Sequence, residues 1–331
     1  MHGKIALEEH FAIEETLGDS RQFMPEIWTR LRARLLDVHQ ERLELMDRHG
    51  IEWMILSLNA PALQAIPDAR RAIEVARRAN DWLAAQVSRR PDRFAGLAAL
   101  PMQDPEAAAR ELERSVRQLG FRGALVNGFS QAGGEDTSLY YDLPQYEPFW
   151  AEVERLDVPF YLHPREPLES QRRAYEGHPW LLGPTWSFAA ETSLHALRLM
   201  SSGLFDRYSG LQIILGHLGE GLPAGLWRAD HRIAKSPRGI PAQKKLSEYF
   251  RANFYLTTSG NFRTQTLLGA ILEIGADRIL FSADYPFEEI GDAAGWFDSA
   301  SIGESDREKI GRANSLRLFR LPASRTAQSQ L

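Results

Sequence analysis

Residues 211–220 read LQIILGHLGE, a continuous apolar run that ends in glycine, histidine and a carboxylate. A strand with one wet face alternates apolar and polar residues, whereas a strand covered on both faces does not. The run therefore predicts a buried strand, Gln212–His217, in a parallel sheet, with its polar residues at the carboxyl end. Seven further β-rich runs surround it: Lys4–Glu8, Glu52–Leu58, Phe94–Leu100, Gly123–Asn127, Pro159–His163, Asn253–Thr258 and Arg278–Asp284. Segments with helical spacing lie between them at Asp68–Arg90, Asp104–Leu119, Gln145–Leu156, Ser187–Ser202, Gly219–Ala234, Arg263–Ile274 and Glu288–Ala300. Asp104-Pro105 is a helix start signal, and Ser305–Phe319 adds a last helix with Ser305 as its expected N-cap.

Repeated strand–helix alternation predicts an α/β chain folded as a (β/α)8 TIM barrel. The competing open doubly wound sheet usually has a glycine-rich phosphate loop after its first strand, and none is present. Insertions follow strand 1 (Phe11–Trp28), strand 4 (Gly128–Pro144) and strand 5 (Pro164–Gly183), whereas loops entering strands are short. Barrel active sites are built at the carboxyl ends of strands, so the elaborated face is the expected functional face. We expect one domain over 1–323 and a disordered polar tail over Ser324–Leu331.

The 331 residues carry 39 Lys and Arg against 44 Asp and Glu, a net charge of −5. No basic stripe is present, which argues against a nucleic-acid partner. The absence of Cys excludes thiolate metal sites, iron–sulfur clusters and a Cys nucleophile. No apolar stretch approaches the roughly 20 residues of a membrane span. A soluble, cytoplasmic protein without a membrane partner is the default expectation.

Four side chains fall at strand ends in a pattern that suits a divalent cation. Glu8 and His10 form Glu-x-His at the end of strand 1, His163 ends strand 5, and Asp284 ends strand 8. Two imidazoles and two carboxylates suit Zn²⁺ or Mn²⁺ alike, and strand ends of one closed sheet converge. Singly, each residue also has a plain reading: a hydrogen-bonded structural His, a solvated Glu, or a turn Asp before Tyr-Pro. The coincidence of all four carries the expectation.

His217, three residues before Glu220, invites a carboxylate–imidazole pair that fixes the tautomer; Glu220 as a helix-start acid is the alternative. Asn127 offers an amide to a polar substrate or serves as a turn residue before Gly128. Phe23, Trp28, Trp180, Trp186, Tyr285 and Phe287 are candidate aromatic walls, although such residues are more often core. Arg228 and His231 lie on the helix after strand 6, by default on a solvated or interface face.

The segments GKIALEEHF, ALVNG, VPFYLHPR, LLGPTWSFA, LQIILGHLGE, NFYLTTSGNF and DRILFSADYPFE resemble the amidohydrolase superfamily, in its non-oxidative aromatic acid decarboxylase branch. Within that branch the likeness is greatest to the γ-resorcylate (2,6-dihydroxybenzoate) decarboxylases, with 2,3-dihydroxybenzoate and salicylate decarboxylases as neighbours. It runs from about Gly3 to Phe319.

The resemblance implies a homotetramer with one divalent metal per subunit, Zn²⁺ or Mn²⁺, and reversible decarboxylation of an ortho-hydroxybenzoate. Carried over, the family's ligands fall on Glu8, His10, His163 and Asp284, and its His and Glu near the substrate on His217 and Glu220. Its arginine near a subunit contact falls on Arg228, and the aromatic residue over the substrate ring on Phe23. Glu-x-His in place of the His-x-His of hydrolytic relatives favours decarboxylation over hydrolysis. Asp284 is the expected acid and His217, oriented by Glu220, the expected substrate contact or base. A metal-dependent hydrolase and a silent barrel that binds an aromatic acid are the rival readings.

Overall fold

The computed structural model describes residues 1–134 and 136–322. The expected boundary at 323 and the tail over 324–331 lie outside the described residues. Eight parallel strands run in chain order: β1 Lys4–Phe11, β2 Ile51–Leu58, β3 Phe94–Gly96, β4 Ala124–Asn127, β5 Phe160–His163, β6 Ile213–Leu215, β7 Phe254–Thr257 and β8 Ile279–Leu280. One ladder joins β1, β2 and β3, and another joins β4 through β8. An Ala98–Ala124 bridge links the two.

The β8–β1 seam is closed by other means. The His10 N–H donates to the Tyr285 carbonyl at 2.6 Å, and the Ser282 hydroxyl donates to the Leu7 carbonyl. The Glu9 carboxylate accepts the N–H groups of Ala283 and Tyr285 at 2.9 and 3.1 Å. The expected strand Arg278–Asp284 is therefore only two residues long as a ladder: the Phe281 N–H turns to the Ile310 carbonyl at 2.9 Å, and side-chain oxygens of Thr258 and Glu9 take the N–H groups of Ser282 and Ala283, each at 2.9 Å.

Inward side chains from every strand fill the barrel as one cluster: Ile5 and Leu7, Trp53 and Ile55, Ala95 and Leu97, Leu125, Tyr161, Ile214, Tyr255 and Leu280. Each fully buried aliphatic among them contributes about 1.5–3 kcal/mol. The larger cluster of the outward strand faces and the surrounding helices covers the barrel on its other side. This two-sided covering is the reason the strand sequences do not alternate.

The longer helices among the described residues are α1 Trp28–Leu36, α2 Glu41–Arg48, α3 Ala69–Arg89, α4 Pro105–Arg117, α5 Glu147–Leu156, α6 Ser187–Ser201, α7 Leu222–Lys235, α8 Leu246–Asn253, α9 Thr264–Ile274, α10 Ile290–Ser299 and a last one, α11, over 304–319 with a π segment at Lys309–Ala313; a single helical turn, Leu204–Arg207, follows α6. Asp68 and Asp104 cap α3 and α4 by accepting the N–H groups of Arg71 and Ala107, each at 2.9 Å.

Three expectations need correction. Between strands 1 and 2 the sequence reading has only an insertion, but α1 and α2 stand there; α8 was also not foreseen. Both early helices are short and Arg-rich, and their buried faces depend on distant partners: Arg34 pairs with Glu289, and Arg42 donates to the His10 carbonyl at 2.6 Å. Ser305 is not an N-cap, since α11 starts at Glu304 after Gly303. The helix expected from Gly219 starts at Leu222, because His217, Leu218 and Glu220 all take left-handed backbone.

Leu316, Leu318, Phe319 and Leu321 plug the barrel at the amino-terminal ends of the strands. The Phe11–Trp28 insertion coils into two 3-10 turns, Leu17–Gln22 and Pro25–Ile27. The insertion after β4 forms a small hairpin, Ser130–Gln131 with Ser138–Leu139, and the one after β5 holds three more 3-10 turns. Among the described residues no helix is long and apolar enough to cross a membrane.

Candidate metal centre and active site

Strand alternation alone would send Glu8 outward, since Ile5 and Leu7 already face the barrel interior. The β1–β2 register slips between Leu7 and Glu9, so Glu8 is an extra residue in β1, at φ 63°. A bulge of this kind re-aims a side chain. Here it turns Glu8 inward, directly above Leu7, while Glu9 points into the β8–β1 seam.

Glu8 is fully buried. Its Oε2 accepts from the Tyr161 and Thr257 hydroxyls, the latter at 3.1 Å. Its Oε1 lies 3.3 Å from His163 Nε2 and 3.7 Å from His217 Nε2, with no hydrogen bond. His10 Nε2, also buried without a hydrogen bond, lies 3.4 Å from Asp284 Oδ1. One ligand atom each from Glu8, His10, His163 and Asp284 lies within 4.8 Å of every other. The four expected ligands thus meet at one point.

Buried polar atoms without partners are costly. Two such atoms in this group, Glu8 Oε1 and His10 Nε2, are satisfied by a cation placed between them, and two imidazoles with two carboxylates are a donor set for a divalent ion. The residues present therefore fit a metal. Gly216 keeps the space open: a Cβ there would stand 3.0 Å from Glu8 Oε1.

Charge within the group follows from burial and close neighbours. Burial pushes Glu8 well above the usual carboxylate range, against the pull of His217. Burial and the neighbouring His10 hold His163 well below the usual imidazole value, hence neutral, as a ligand must be. Burial alone would raise Asp284, but the adjacent His10 and His217 imidazoles outweigh it and bring the group to about 2. Burial pushes Glu9 up to about 8, although two backbone N–H groups and Arg42 oppose it.

His217 Nδ1 and Glu220 Oε1 are 2.6 Å apart, and His217 Nε2 lies 3.5 Å from Asp284 Oδ2. Burial opposes a charge on His217, yet the carboxylates of Glu220 and Glu8 raise it well above an ordinary imidazole. The helix-start reading of Glu220 gives way to the pair.

Glu8, His217, Glu220 and Asp284 all have positive φ, at 63°, 52°, 56° and 80°. Such backbone costs of order 1–3 kcal/mol per residue and persists where the surroundings enforce it, as at ligand and catalytic positions.

A cavity of about 100 Å³ opens onto His163, His217 and Asp284. Phe23, Met24, Phe188 and Phe287 form its apolar wall, and Glu288 adds a half-buried carboxylate. Burial, with the nearby Asp284 charge, pushes Glu288 up to about 6. A wider groove of about 570 Å³ leads away from His217 and Glu220 between α6 and α7, past Trp186.

Phe23 and Phe287 thus stand where the sequence reading puts them. The remaining candidates lie elsewhere. Asn127 is buried behind the cavity, where its Nδ2 donates to the carbonyls of Asn59 and Pro61 at 3.0 and 3.4 Å. Arg228 is exposed on α7 beside Trp227, which stacks on His231. Tyr285 is fully buried under Arg42, Trp28 packs at α1, and Trp180 is 63% exposed. Of the other histidines, His195 is a core residue accepting the Tyr141 N–H at 3.1 Å, and His178 lies outside the cavity against Trp180.

Sequence reasoning missed Phe188, Glu288 and Glu9. Glu9 is an acid within the strand run KIALEEHF, which does not alternate, and that is the signal the sequence offers for its burial.

A family profile described as Amidohydrolase matches residues 33–321. The γ-resorcylate decarboxylase of Rhizobium sp. (strain MTP-10005) is 66% identical over 324 residues, 97% of this chain and 99% of its own length. A crystal structure of a 2,6-dihydroxybenzoate decarboxylase complexed with 2,6-dihydroxybenzoate superposes with a TM-score of 0.96 at 66% identity, covering 97% of this chain and 100% of that one. A dihydroxybenzoic acid decarboxylase from Polaromonas sp. JS666, with bound manganese and the inhibitor 2-nitroresorcinol, superposes with a TM-score of 0.96 at 65% identity over 98% of both chains. With its barrel, its buried cluster of two imidazoles and two carboxylates, and these matches over nearly its whole length, the chain belongs to the amidohydrolase family.

Proposed function

We propose that this chain is a metal-dependent carboxy-lyase that decarboxylates an ortho-hydroxybenzoate without oxidation, converting 2,6-dihydroxybenzoate to resorcinol and CO2. The observation that carries the reading is the position of Asp284. It belongs to the ligand quartet, and it also faces an aromatic-walled cavity beside His217. The identity to γ-resorcylate decarboxylases supports the choice of substrate. Mn²⁺ or Zn²⁺ suits the donor set, and the manganese of the Polaromonas neighbour supports the former.

Glu8, His10, His163 and Asp284 would hold a divalent cation, which would supply Lewis-acid and template chemistry for an ortho-hydroxy acid. Direct loss of CO2 from an aryl ring would leave a very unstable carbanion, so the ring carbon is protonated first. Asp284 is ionised at rest; it takes a proton from His217, which lies 3.5 Å away and is kept protonated by Glu220, and passes it to the carbon bearing the carboxyl group. The ring passes through a cyclohexadienone-like state, and its aromaticity returns as the C–C bond breaks and CO2 leaves. Phe23, Phe188 and Phe287 hold the ring and exclude water. Carbon is protonated and nothing is oxidised, so no redox cofactor takes part, and high bicarbonate reverses the reaction.

The working form is a cytoplasmic homotetramer. Trp186, Leu194, Trp227, Leu268 and Leu272, at 41–88% exposure on and beside α6, α7 and α9, offer its contact face, with Arg228 next to Trp227.

The decisive experiment incubates metal-analysed protein with 2,6-dihydroxybenzoate, 2,3-dihydroxybenzoate and salicylate, following loss of each acid by absorbance and release of CO2. The 2,6-isomer is consumed fastest, with no uptake of water. Consumption of none of the three overturns the proposal, and preference for another isomer reassigns the substrate.

A further inference from the structure

Four residues bring polar side chains to the cavity: His163, His217, Asp284 and Glu288. Three of them belong to the ligand quartet or to the His217–Glu220 pair. Glu288 belongs to neither. Among the described residues its carboxylate makes no hydrogen bond and no ion pair. Its position is nevertheless fixed by the backbone: the N–H groups of Phe287 and Glu288 both donate to the Asp284 carbonyl, at 2.9 and 3.0 Å. That turn carries Glu288 one step past the ligand and back to the same cavity.

A half-buried carboxylate beside Phe23, Phe188 and Phe287 has lost part of its water without gaining a protein donor. An acceptor in that position favours a ligand O–H and disfavours an anionic substituent. A benzoate ring held by the quartet through its carboxylate and one ortho oxygen turns its other ortho position away from the cation. The remaining cavity offers one unassigned polar group to meet it.

We propose that Glu288 is a specificity residue that accepts a hydrogen bond from the second ortho hydroxyl of 2,6-dihydroxybenzoate, so that the cavity selects this acid over 2-hydroxybenzoate. The proposal rests on the function stated above and adds the group that distinguishes its substrates. A site built to bond a hydroxyl rejects the analogue lacking it, because its own polar group is then left unpaired. Hydrogen bonds to charged groups are worth enough to make the preference about 10- to 100-fold.

The test uses the metal-loaded protein, with metal content measured for each variant, and compares wild type, Glu288→Gln and Glu288→Ala. The dissociation constants of 2,6-dihydroxybenzoate and 2-hydroxybenzoate are measured by calorimetry, and kcat/KM for both in parallel. Glu288→Ala is expected to weaken 2,6-dihydroxybenzoate at least tenfold and 2-hydroxybenzoate less than threefold. Glu288→Gln, which keeps an acceptor oxygen, restores part of the preference. Equal changes for both acids, or no change for either, overturn the role of Glu288. Wild-type protein that binds the acids selectively but turns over neither refutes the decarboxylase reading instead, and the calorimetric comparison still decides on Glu288.

Discussion

His217 and Glu220 sit three residues apart in left-handed backbone, with Nδ1 and Oε1 2.6 Å from each other. A continued extended path would point the two side chains to opposite faces of the strand. The strained backbone of 217–220 converts a strand end into an imidazole with a fixed orientation and a raised proton affinity. Glu220→Gln is therefore expected to lower kcat by about 10- to 100-fold with metal content unchanged. With less negative charge beside it, His217 loses its proton at lower pH, and the alkaline limb of the kcat profile moves down. An alkaline limb that stays in place would count against this pairing.

Asp284→Asn keeps the shape of the side chain and removes its ability to carry a proton. Less than about a tenth of wild-type kcat should remain, since general acid catalysis is typically worth 10²–10⁴-fold. Benzoate, which lacks the ortho oxygen, should not react. Ready turnover of benzoate, or a fully active Asp284→Asn enzyme, contradicts the ring-protonation route.

The orphaned atoms Glu8 Oε1 and His10 Nε2 make the metal centre testable without turnover. His10→Ala and His163→Ala should each strip the metal, as measured by elemental analysis of the purified variants. Full occupancy in either variant would show that its imidazole is not a ligand.

Phe23 reaches the cavity because its insertion is tied to the end of β2. The Asn59 amide donates to the Thr16 carbonyl at 2.9 Å and the Ser20 hydroxyl at 2.7 Å, while its oxygen accepts the Thr16 hydroxyl at 2.8 Å. All three residues are buried. Asn59→Ala leaves these groups unpaired, which should cost about 1–3 kcal/mol in a denaturant titration. The loosened insertion should raise KM for the aromatic acid more than it lowers kcat; a KM equal to that of wild type would detach the network from the site.

Acid stability has a separate origin. Burial holds His195 at about 3, against an ordinary imidazole value of 6.5. Between those values the unfolded chain binds a proton that the folded one does not. The stabilising contribution of His195 is thus complete above pH 6.5 and falls away as pH drops toward 3. His195→Gln should flatten that part of the stability–pH curve, measured as Tm between pH 4 and 7.

The barrel and its four metal-binding side chains were legible in the order of residues. Continuous apolar runs mark strands covered on both faces, and polar residues closing runs 1, 5 and 8 must gather on one rim once the sheet closes. Those are consequences of local pattern and of a ring's geometry. Only the tertiary structure decided which way Glu8 points, because the register slip beside it depends on how β1 pairs with β2. It alone showed that Glu9 closes the β8–β1 seam, that Asn127 binds backbone carbonyls behind the cavity, and that Phe188 and Glu288 line it. The partners of these side chains lie tens to hundreds of residues away. Periodicity records the face a residue presents, but a bulge, a seam or a cavity wall exists only when distant segments have met.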